Sequence, residues 1–498
     1  MHDRNPSTRG ALSLAAVLLV VSGCAAPRAV DPSLPSWDFG PDAVFPADLS
    51  LLRAEDGVAL DDGGLLVADQ THGLRRLEPD GGSRPFGDLS GAGYANDPPR
   101  RHGAANGVSL EPDGAHVLVA DILGGGIYRV ELASGATRRV YAHDFGVNAA
   151  VRDSSGAIWF TQSARNTEEQ GELGMFTPVD IPEAAGALWR LAFEDGRFAE
   201  RATLVRDGLY YANGLVVDEA RGSLYLAELA ANRVLRFPLD VESGALGSGT
   251  TLVELPTPDN LEQDADGHLW VASPLANQVL VVDPDTGAAQ VAFHHQSPAQ
   301  VELAAEWARR GASGTSRLEL LTPALCEPLP GFLTGVILGA ADGSVYATGL
   351  GNGLLRLESP LASKAARREE LATSYASAWS SGDPERLASF YAERGALTVN
   401  GGEPAIGRAA IAARAGEFME AFPDMVVAVD SVEVEPGRWL FHWIWTGTNT
   451  GPGGTGRSVH LRGYEEWTLS PAGRIASSRG HYDEAEYERQ VSADPEGR

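Results

Sequence analysis

Cysteine is almost absent from this sequence of 498 residues, which contains only Cys24 and Cys326. Two cysteines cannot form the disulfide framework that holds small secreted domains together. Basic side chains are also in deficit: 39 lysines and arginines stand against 67 aspartates and glutamates, and the formal net charge is −28. This charge argues against nucleic acid or an anionic lipid surface as the main partner. It fits a protein that meets small neutral molecules or cations, and it fits equally a role in solubility alone.

The N-terminal region lacks an apolar run long enough to cross a bilayer, because its apolar stretch is confined to Ala11–Val21. This stretch follows Arg4 and Arg9, as the apolar core of a signal peptide follows basic residues. The residues at its end, Val21-Ser22-Gly23-Cys24, resemble the lipobox of bacterial lipoproteins. In a lipobox the cysteine is lipidated and becomes the new N-terminus. An ordinary cleaved secretion signal is the alternative.

We therefore predict that residues 1–24 are a lipoprotein signal peptide and that the proline-rich residues 25–46 are a tether. The expected location is the cell envelope, periplasmic or at the cell surface, with membrane contact only through the lipid on Cys24. If Cys24 carries a lipid, Cys326 has no partner for an internal disulfide.

A repeat of one pattern occurs six times in the first two-thirds of the chain: a turn with glycine, a short apolar strand, a polar interval and another strand. The six apolar strands are Gly64–Asp69, Ala115–Asp121, Ala157–Gln162, Ser223–Glu228, His268–Ser273 and Ser344–Gly349. Short strands that recur on the scale of about forty residues are typical of propeller blades. We predict an all-β, six-bladed β-propeller over residues 47–358, since an irregular β-sandwich would not explain the regular recurrence.

Each of these strands has an oxygen-bearing side chain 14 or 15 residues before its end. The six side chains, called the ring below, are Glu55, Asn106, Asn148, Asn213, Asp259 and Thr334. Their position just before each innermost strand should bring them together at one end of the central channel. Carboxylate and amide oxygens without cysteine or histidine suit one calcium ion better than zinc. The alternative is that asparagine and aspartate are merely good turn residues at strand entries.

Two long connections should lie over the ring. The loops after the second strand of each blade face the side of the ring, and the connection between the fifth and sixth blades should open on the same face. They are Ser163–Gly186 in the third blade and Phe293–Phe332 between the fifth and sixth blades. The second contains a helix-like stretch around Val301–Arg309, with Trp307 on its apolar side. A roofed pocket for a small-molecule substrate is one interpretation, and simple tolerance of loops to insertion is the other.

The blades contain segments that resemble the gluconolactonase (senescence marker protein, regucalcin) family and its paraoxonase and strictosidine synthase-like relatives. The most specific are Tyr211-Ala-Asn213-Gly-Leu, Leu224-Tyr-Leu-Ala-Glu228, Pro258-Asp259-Asn260-Leu and Asp266-Gly-His-Leu-Trp270. The resemblance implies a metal bound by Glu55, Asn148, Asn213 and Asp259, with Asn260 as a fifth candidate. It also implies hydrolysis of lactones or esters, with Asp259 as general base or nucleophile. Asn106 stands where paraoxonases have a catalytic histidine. A propeller that only binds ligands or serves as a scaffold is the rival hypothesis.

The pattern changes after Pro360, and residues 364–491 form a second unit in which helices precede strands. Leu371, Tyr375 and Trp379 form one helical stripe, and Asp383-Pro384 starts another helix, predicted to carry Leu387, Phe390 and Tyr391. A third helix is predicted around Ile406–Phe422. The predicted strands are Met425–Val434, Trp439–Thr448, Val459–Leu469 and Arg474–Tyr482. This order indicates a smaller α+β domain.

Short motifs in this unit resemble the SnoaL-like polyketide cyclases of the nuclear transport factor 2-like superfamily, in which a curved sheet encloses a conical pocket. They are Phe422-Pro-Asp424, Thr446-Gly-Thr448, Gly473-Arg-Ile475 and Tyr482-Asp483-Glu484-Ala485. Strand alternation places His481 and Asp483 on one face, where they are candidates for an acid/base pair in a cyclase or isomerase. The alternative is an accessory domain that binds a ligand or dimerises.

Overall fold

A computed structural model describes residue 30 and residues 43–96, 103–167, 170–322, 331–340, 343–357, 365–435 and 438–492. The predictions for the signal peptide, the lipidated Cys24 and most of the tether fall outside the described residues, as does Cys326. In the part of the chain that is described, no helix is long and apolar enough to cross a membrane.

The first two-thirds of the chain form six antiparallel blades, of which the first and the sixth are joined into one sheet by the pairing of Ala54 with Gly349. The first three blades are β2 (Ala54–Ala59), β3 (Leu65–Asp69), β4 (Gly73–Leu77) and β5 (Ser83–Pro85); β6 (Ala105–Leu110), β7 (His116–Asp121), β8 (Gly126–Glu131) and β9 (Thr137–Ala142); and β10 (Ala150–Arg152), β11 (Ile158–Gln162), β12 (Gly186–Leu191) and β15 (Thr203–Leu209). Two further short strands, β13 (Phe193–Glu194) and β14 (Arg197–Phe198), form a hairpin within the third blade.

The remaining blades repeat the same plan. They are β16 (Ala212–Asp218), β17 (Ser223–Glu228), β18 (Arg233–Asp240) and β20 (Thr250–Glu254), with β19 (Ala245–Leu246) beside β18; β21 (Leu261–Gln263), β22 (Leu269–Ser273), β23 (Gln278–Val282) and β24 (Ala289–His294); and β25 (Leu333–Ile337), β26 (Val345–Gly349) and β27 (Leu354–Leu357). The innermost strands contact one another in a closed cycle, β2 to β6, β10, β16, β21, β25 and back to β2. The predicted six-bladed propeller is therefore confirmed.

The second strands of the blades explain why the repeat is visible in the sequence. Every residue of β3, β11, β17, β22 and β26 is buried. A strand that is covered on both faces by neighbouring blades has to be apolar throughout, so it appears as a continuous hydrophobic run.

The propeller is closed by a strand from the N-terminal side. Val44 and Phe45 form β1 (Val44–Phe45) and pair with Leu355 and Leu354 of β27. The sixth blade thus takes its outer strand from residues that the sequence analysis assigned to the tether. Pairing of the first strand of the chain with the last strand of the sixth blade closes the circle of blades.

The second unit has one sheet of six strands in the order β29-β28-β33-β32-β31-β30. Its elements are α3 (Ala365–Trp379), α4 (Pro384–Ala388), β28 (Tyr391–Val399), β29 (Ala405–Ile406), α5 (Arg408–Ala421), β30 (Val426–Glu435), β31 (Arg438–Thr448), β32 (Ser458–Leu469), β33 (Ile475–Tyr482) and α6 (Glu484–Val491). The Asp383 side chain accepts a hydrogen bond from the backbone N–H of Arg386, as expected for the residue before a helix. The α+β class is confirmed, but Tyr391 begins a strand instead of continuing a helix.

The second domain docks on the turn between β21 and β22 of the fifth blade. Asp266 is buried there, and its Oδ2 accepts a hydrogen bond of 2.8 Å from Ser470 Oγ. Arg474 Nη1 lies 2.9 Å from Asp266 Oδ1, and the Arg394 N–H donates to the Ala265 carbonyl oxygen at 2.8 Å. Because the ring residue precedes β21 and this turn follows β21, the second domain lies at the end of the channel opposite the ring.

Candidate metal centre

All six ring residues line one cavity, as the spacing of 14 or 15 residues predicts. Each of their side chains is buried, with no more than 4% of the residue surface exposed. The cavity has an empty volume of about 590 Å³, which includes the space at its mouth that is open to solvent. The ring is its polar floor.

Three ring residues have an oxygen with no hydrogen-bond donor. Asn148 Oδ1, Asn213 Oδ1 and Asp259 Oδ1 are buried and have no partner among the described residues. Buried polar atoms in proteins are nearly always satisfied, so three such oxygens in one ring require an explanation. A divalent cation coordinated by oxygen supplies one, since calcium accepts six to eight oxygen ligands.

Negative charge is concentrated at the same place. Burial, then the carboxylates of Asp259 and Asp56, raise the pKa of Glu55 well above its usual range. Burial and the charge of Asp56 also raise the pKa of Asp259. Three carboxyl groups that are removed from water together are costly to ionise. A bound cation would offset that cost, so Glu55, Asn148, Asn213 and Asp259 fit a metal site by their chemistry.

The other ring residues are satisfied within the protein. Asn106 Oδ1 accepts a hydrogen bond of 2.8 Å from Gln70 Nε2, and Asn106 Nδ2 donates to the Asn148 carbonyl oxygen at 3.1 Å. Thr334 Oγ1 donates to the Glu55 carbonyl oxygen at 2.7 Å. Asn260 Nδ2 lies 3.3 Å from Glu55 Oε2 and donates to it. Asn106 and Thr334 thus hold backbone next to the ligand set, and Asn260 orients the Glu55 carboxylate.

The backbone before the ring is strained in three blades, a feature that sequence reasoning did not detect. Arg53, Tyr211 and Thr257 have φ values of 67°, 58° and 38°. Each lies two residues before a ring residue: Glu55, Asn213 or Asp259. Left-handed backbone at residues other than glycine costs on the order of 1 kcal/mol or more and clusters at functional sites. The strain therefore supports a functional role for the ring.

Another cluster of titratable side chains, Glu111, Asp113 and His116, is close enough to hold a metal ion. Its carboxylates already have cationic partners: Glu111 lies 2.7 Å from both Arg129 and Arg152, and Asp113 lies 3.0 Å from Arg129. Two arginines neutralise this group, so its charge pattern does not favour a cation.

The roof of the ring cavity comes from the two long connections, as predicted. Within them, α1 (Gly171–Asp180) contributes Met175, Phe176 and Val179, and α2 (Pro298–Ser313) contributes Trp307. The α2 helix is longer than the stretch Val301–Arg309 predicted from sequence. Its start is defined by a capping box, in which Ser297 and Gln300 exchange hydrogen bonds.

The two roof helices are joined by Arg317 and Asp180. The Arg317 guanidinium lies 4.5 Å from the centre of the Trp307 ring, and its Nη2 donates to the Val179 carbonyl oxygen. Asp180 Oδ1 accepts from the backbone N–H of Arg317 at 2.6 Å and of Leu318 at 2.9 Å. These contacts fix the roof over the ring.

The second domain has a cavity of its own, with an empty volume of about 530 Å³ and a largely apolar lining. Glu465 lines it, and Glu465 Oε2 accepts hydrogen bonds from Tyr375 at 2.9 Å, Trp467 at 2.9 Å and Ser478 at 2.5 Å. Its Oε1 has no hydrogen-bond partner among the described residues. Burial raises the pKa of Glu465. Trp443 and Trp445 also line the cavity, and both indole Nε1 atoms are buried without a partner in the described chain.

The predicted pair His481 and Asp483 does not line this cavity. Glu465 and Gly480 face inward, so the neighbours Glu466 and His481 lie on the other face of the sheet. His481 stacks on Tyr464 with ring centres 4.7 Å apart. The Asp483 side chain caps α6. The sequence analysis therefore missed Glu465. Strand alternation places Glu465 and its neighbour Glu466 on opposite faces of the sheet, and this much can be read from the sequence.

Comparison with known proteins agrees with both halves of this architecture. Residues 142–304 match the family described as SMP-30/Gluconolactonase/LRE-like region, and residues 369–491 match the SnoaL-like polyketide cyclases. The chain joins a gluconolactonase-like propeller to a SnoaL-like domain. Each family match covers less than half of the chain.

Individual relatives align with only part of this chain. Strictosidine synthase of Catharanthus roseus is 25% identical over 158 residues, which are 32% of this chain and 42% of that protein. Pentonolactonase XacC of Haloferax volcanii is 33% identical over 106 residues, 20% of this chain and 35% of that protein. The matches thus span less than half of either relative. A gluconolactonase structure from Xanthomonas campestris aligns with a TM-score of 0.43 and 19% identity, covering 68% of this chain and 97% of that one.

Proposed function

We propose that the gluconolactonase-like propeller is a metal-dependent hydrolase of lactones or esters, with calcium as the metal. The single observation that carries this proposal is the set of unpartnered buried oxygens on Asn148, Asn213 and Asp259. The match to the gluconolactonase family and the pentonolactonase relative support the reaction class. An all-oxygen ligand set supports calcium over zinc.

Glu55, Asn148, Asn213 and Asp259 would hold the ion. A calcium ion bound there supplies polarisation of the substrate carbonyl oxygen. Asp259 would take the proton of the attacking water on its Oδ1, or attack the carbonyl carbon itself. Tyr211 is buried beside this group, and burial together with the charges of Asp259 and Glu55 raises the pKa of its hydroxyl. The hydroxyl therefore stays protonated and can donate a hydrogen bond.

Calorimetric titration with calcium, beside assays of lactones, aryl esters and phosphotriesters, tests the proposal. Wild-type protein should bind one calcium ion. Asp259→Asn keeps the shape but removes a charge and the proposed base, so calcium affinity should fall and hydrolysis should fall further, by about 10²–10⁴-fold. Asn106→Ala is the matched control in the ring. The oxygen and the nitrogen of the Asn106 side chain both form hydrogen bonds within the protein, so this substitution should change calcium affinity least.

Three outcomes would each contradict a part of this proposal. Absence of calcium binding in the wild type would remove the metal site. Calcium binding without hydrolysis of any of the three substrate classes would favour a propeller that only binds a ligand or acts as a scaffold. Undiminished hydrolysis in Asp259→Asn would refute the role of Asp259.

For the SnoaL-like domain we propose the accessory role of binding a small apolar ligand. The unpartnered Nε1 atoms of Trp443 and Trp445, together with Glu465 in an apolar cavity, support this role. If the domain is instead a cyclase or isomerase, Glu465 is better placed for proton transfer than His481 or Asp483. Dimerisation through this domain remains a separate proposal, testable by the mass of the full chain in solution.

We also propose that the protein is held in the cell envelope by a lipid on Cys24, with no other membrane contact and no nucleic acid partner. The proposal rests on the lipobox-like Val21–Cys24 and on the net charge of −28. Labelled fatty acid should be incorporated into the wild type and not into Cys24→Ser. Equal labelling of both would contradict the anchor.

A further inference from the structure

A second layer of side chains lies above the polar ring, and it is apolar. Ile122, Leu229 and Leu350 each follow directly after the second strand of the second, fourth and sixth blades, and all three line the ring cavity. The roof adds Met175 and Phe176 from α1. Hydrophobic side chains therefore surround the polar floor on several sides. Most of these hydrophobic side chains belong to one buried apolar cluster.

The polar side chains of the cavity outside the metal-type set are engaged within the protein. Gln70 donates to Asn106 and accepts from Arg53 Nε at 2.7 Å. Thr257 Oγ1 accepts from the Leu275 N–H at 3.3 Å, and Thr334 donates to a backbone carbonyl oxygen. The other described lining residues with polar side-chain atoms are Arg53, Tyr211 and Trp307, and Arg53 Nη2 lies 3.7 Å from Glu172 Oε1. Few groups are thus left to bind the hydroxyls of a polar substrate.

From these two layers we infer that the site takes lactones or esters with an apolar alkyl or acyl part, and that it disfavours polyhydroxylated sugar lactones. The inference rests on the proposed hydrolase function and specifies its substrate class. The carbonyl group would lie at the floor, near Asp259 and Asn213, and the hydrocarbon part would lie against Met175, Phe176 and Ile122. A sugar lactone would bury several hydroxyls without partners, which is costly.

A series of δ-lactones with calcium present tests this inference: δ-valerolactone, δ-nonalactone and glucono-δ-lactone. Each methylene buried against the walls should raise kcat/KM by about fourfold until the cavity is filled. We expect δ-nonalactone, with its butyl tail, to exceed both other lactones by at least about tenfold. Equal or better hydrolysis of glucono-δ-lactone would overturn the inference while leaving the hydrolase proposal intact.

Met175 and Leu173 form a matched pair on α1, because Met175 is buried in the cavity wall and Leu173 is 70% exposed. Met175→Ala should reduce the advantage of δ-nonalactone over δ-valerolactone several-fold. Leu173→Ala, which removes an apolar side chain of similar size from the outer face of the same helix, should leave that advantage unchanged. Equal effects of the two substitutions would contradict the assignment of the wall.

Binding of hydrolysis-resistant lactams separates a wrong substrate class from a wrong reaction. Piperidin-2-one with and without a butyl tail can be titrated into the full chain by calorimetry. Tighter binding of the butyl compound, lost in Met175→Ala, supports the apolar wall even if no lactone is hydrolysed, and in that case the hydrolase proposal fails alone. Equal binding of the two lactams overturns the inference.

Discussion

Two cavities of this protein, one in the propeller and one in the SnoaL-like domain, have similar empty volumes of about 590 Å³ and about 530 Å³. They differ in the kind of polar atom that is left without a hydrogen-bond partner. In the propeller these atoms are oxygens, on Asn148, Asn213 and Asp259. In the SnoaL-like domain they are indole nitrogens, on Trp379, Trp443 and Trp445. Unpartnered oxygens call for a positively charged ligand or a donor, whereas unpartnered N–H groups call for an acceptor.

The carboxyl groups of the two cavities also differ in the groups that surround them. Glu55 and Asp259 are buried near each other and near Asp56, so their charges repel. Glu465 is a single carboxyl group whose Oε2 accepts hydrogen bonds from Tyr375 and two other side chains. Repelling carboxylates need an ion to become stable, but a lone carboxyl group with several donors is stable without one. The carboxyl groups of the propeller cavity therefore favour a bound cation, and Glu465 does not.

The largest expected effect that distinguishes the cavities is stabilisation by calcium. At 100 times its dissociation constant, calcium should add ~2.7 kcal/mol to the free energy of unfolding of the propeller, because it binds only the folded ring. Thermal unfolding with calcium, and again after a chelator, should show a Tm difference that Asp259→Asn reduces. Asp113→Asn, in the arginine-neutralised cluster, is the control and should keep the full difference. A calcium effect lost in Asp113→Asn instead would place the metal elsewhere.

A smaller effect should appear when an indole donor is removed from the second cavity. Trp445→Phe keeps an aromatic ring but loses the unpartnered N–H, so a ligand oxygen would lose one hydrogen bond worth about 1 kcal/mol, or about fivefold in affinity. Titration with 2-naphthol measures this loss, and naphthalene, which has no oxygen, is the control ligand. If Trp445→Phe weakens both compounds equally, the N–H group has no role in recognition.

The smallest expected effect is a change in pH dependence on replacing Glu465. Burial raises its pKa in the folded protein, so the folded state holds this proton more tightly than the unfolded chain does. The resulting stabilisation is complete below the ordinary glutamate pKa and is lost as the pH rises through the raised value. Urea unfolding between about pH 5 and about pH 8 should therefore show the wild type losing stability relative to Glu465→Gln. A constant difference between the two proteins over that interval would contradict the raised pKa.

The ring residues could be predicted from the sequence because of the geometry of a β-hairpin. In each blade a nearly constant number of residues separates the position before the first strand from the end of the second strand. The same counting could not show that Asn106 is satisfied and Asn148 is not. That difference depends on Gln70, which the first blade places beside Asn106. Hydrogen bonds between blades join residues that are far apart in the chain, so local spacing carries no information about them.

Strand alternation in the second domain had a similar limit. The period of two places Glu465 and Glu466 on opposite faces of the strand, but it does not show which of them faces the cavity. The parallel pairing of β28 with β33 was also hidden, because Tyr391 follows a helix and pairs with the distant Ile475. Sequence reasoning therefore preferred the outward-facing His481.

The amino-acid sequence alone determined the repeat number, the order of the two domains and the six polar side chains of the ring, since all of these follow from local periodicity. Tertiary structure alone decided the rest: the closing strand Val44–Phe45, the docking of the second domain on Asp266, and the inward face of β32. Each of these depends on which distant surfaces meet. Burial and the pairing of polar atoms become defined only after the chain has packed against itself, and these two properties distinguish a site from a pattern.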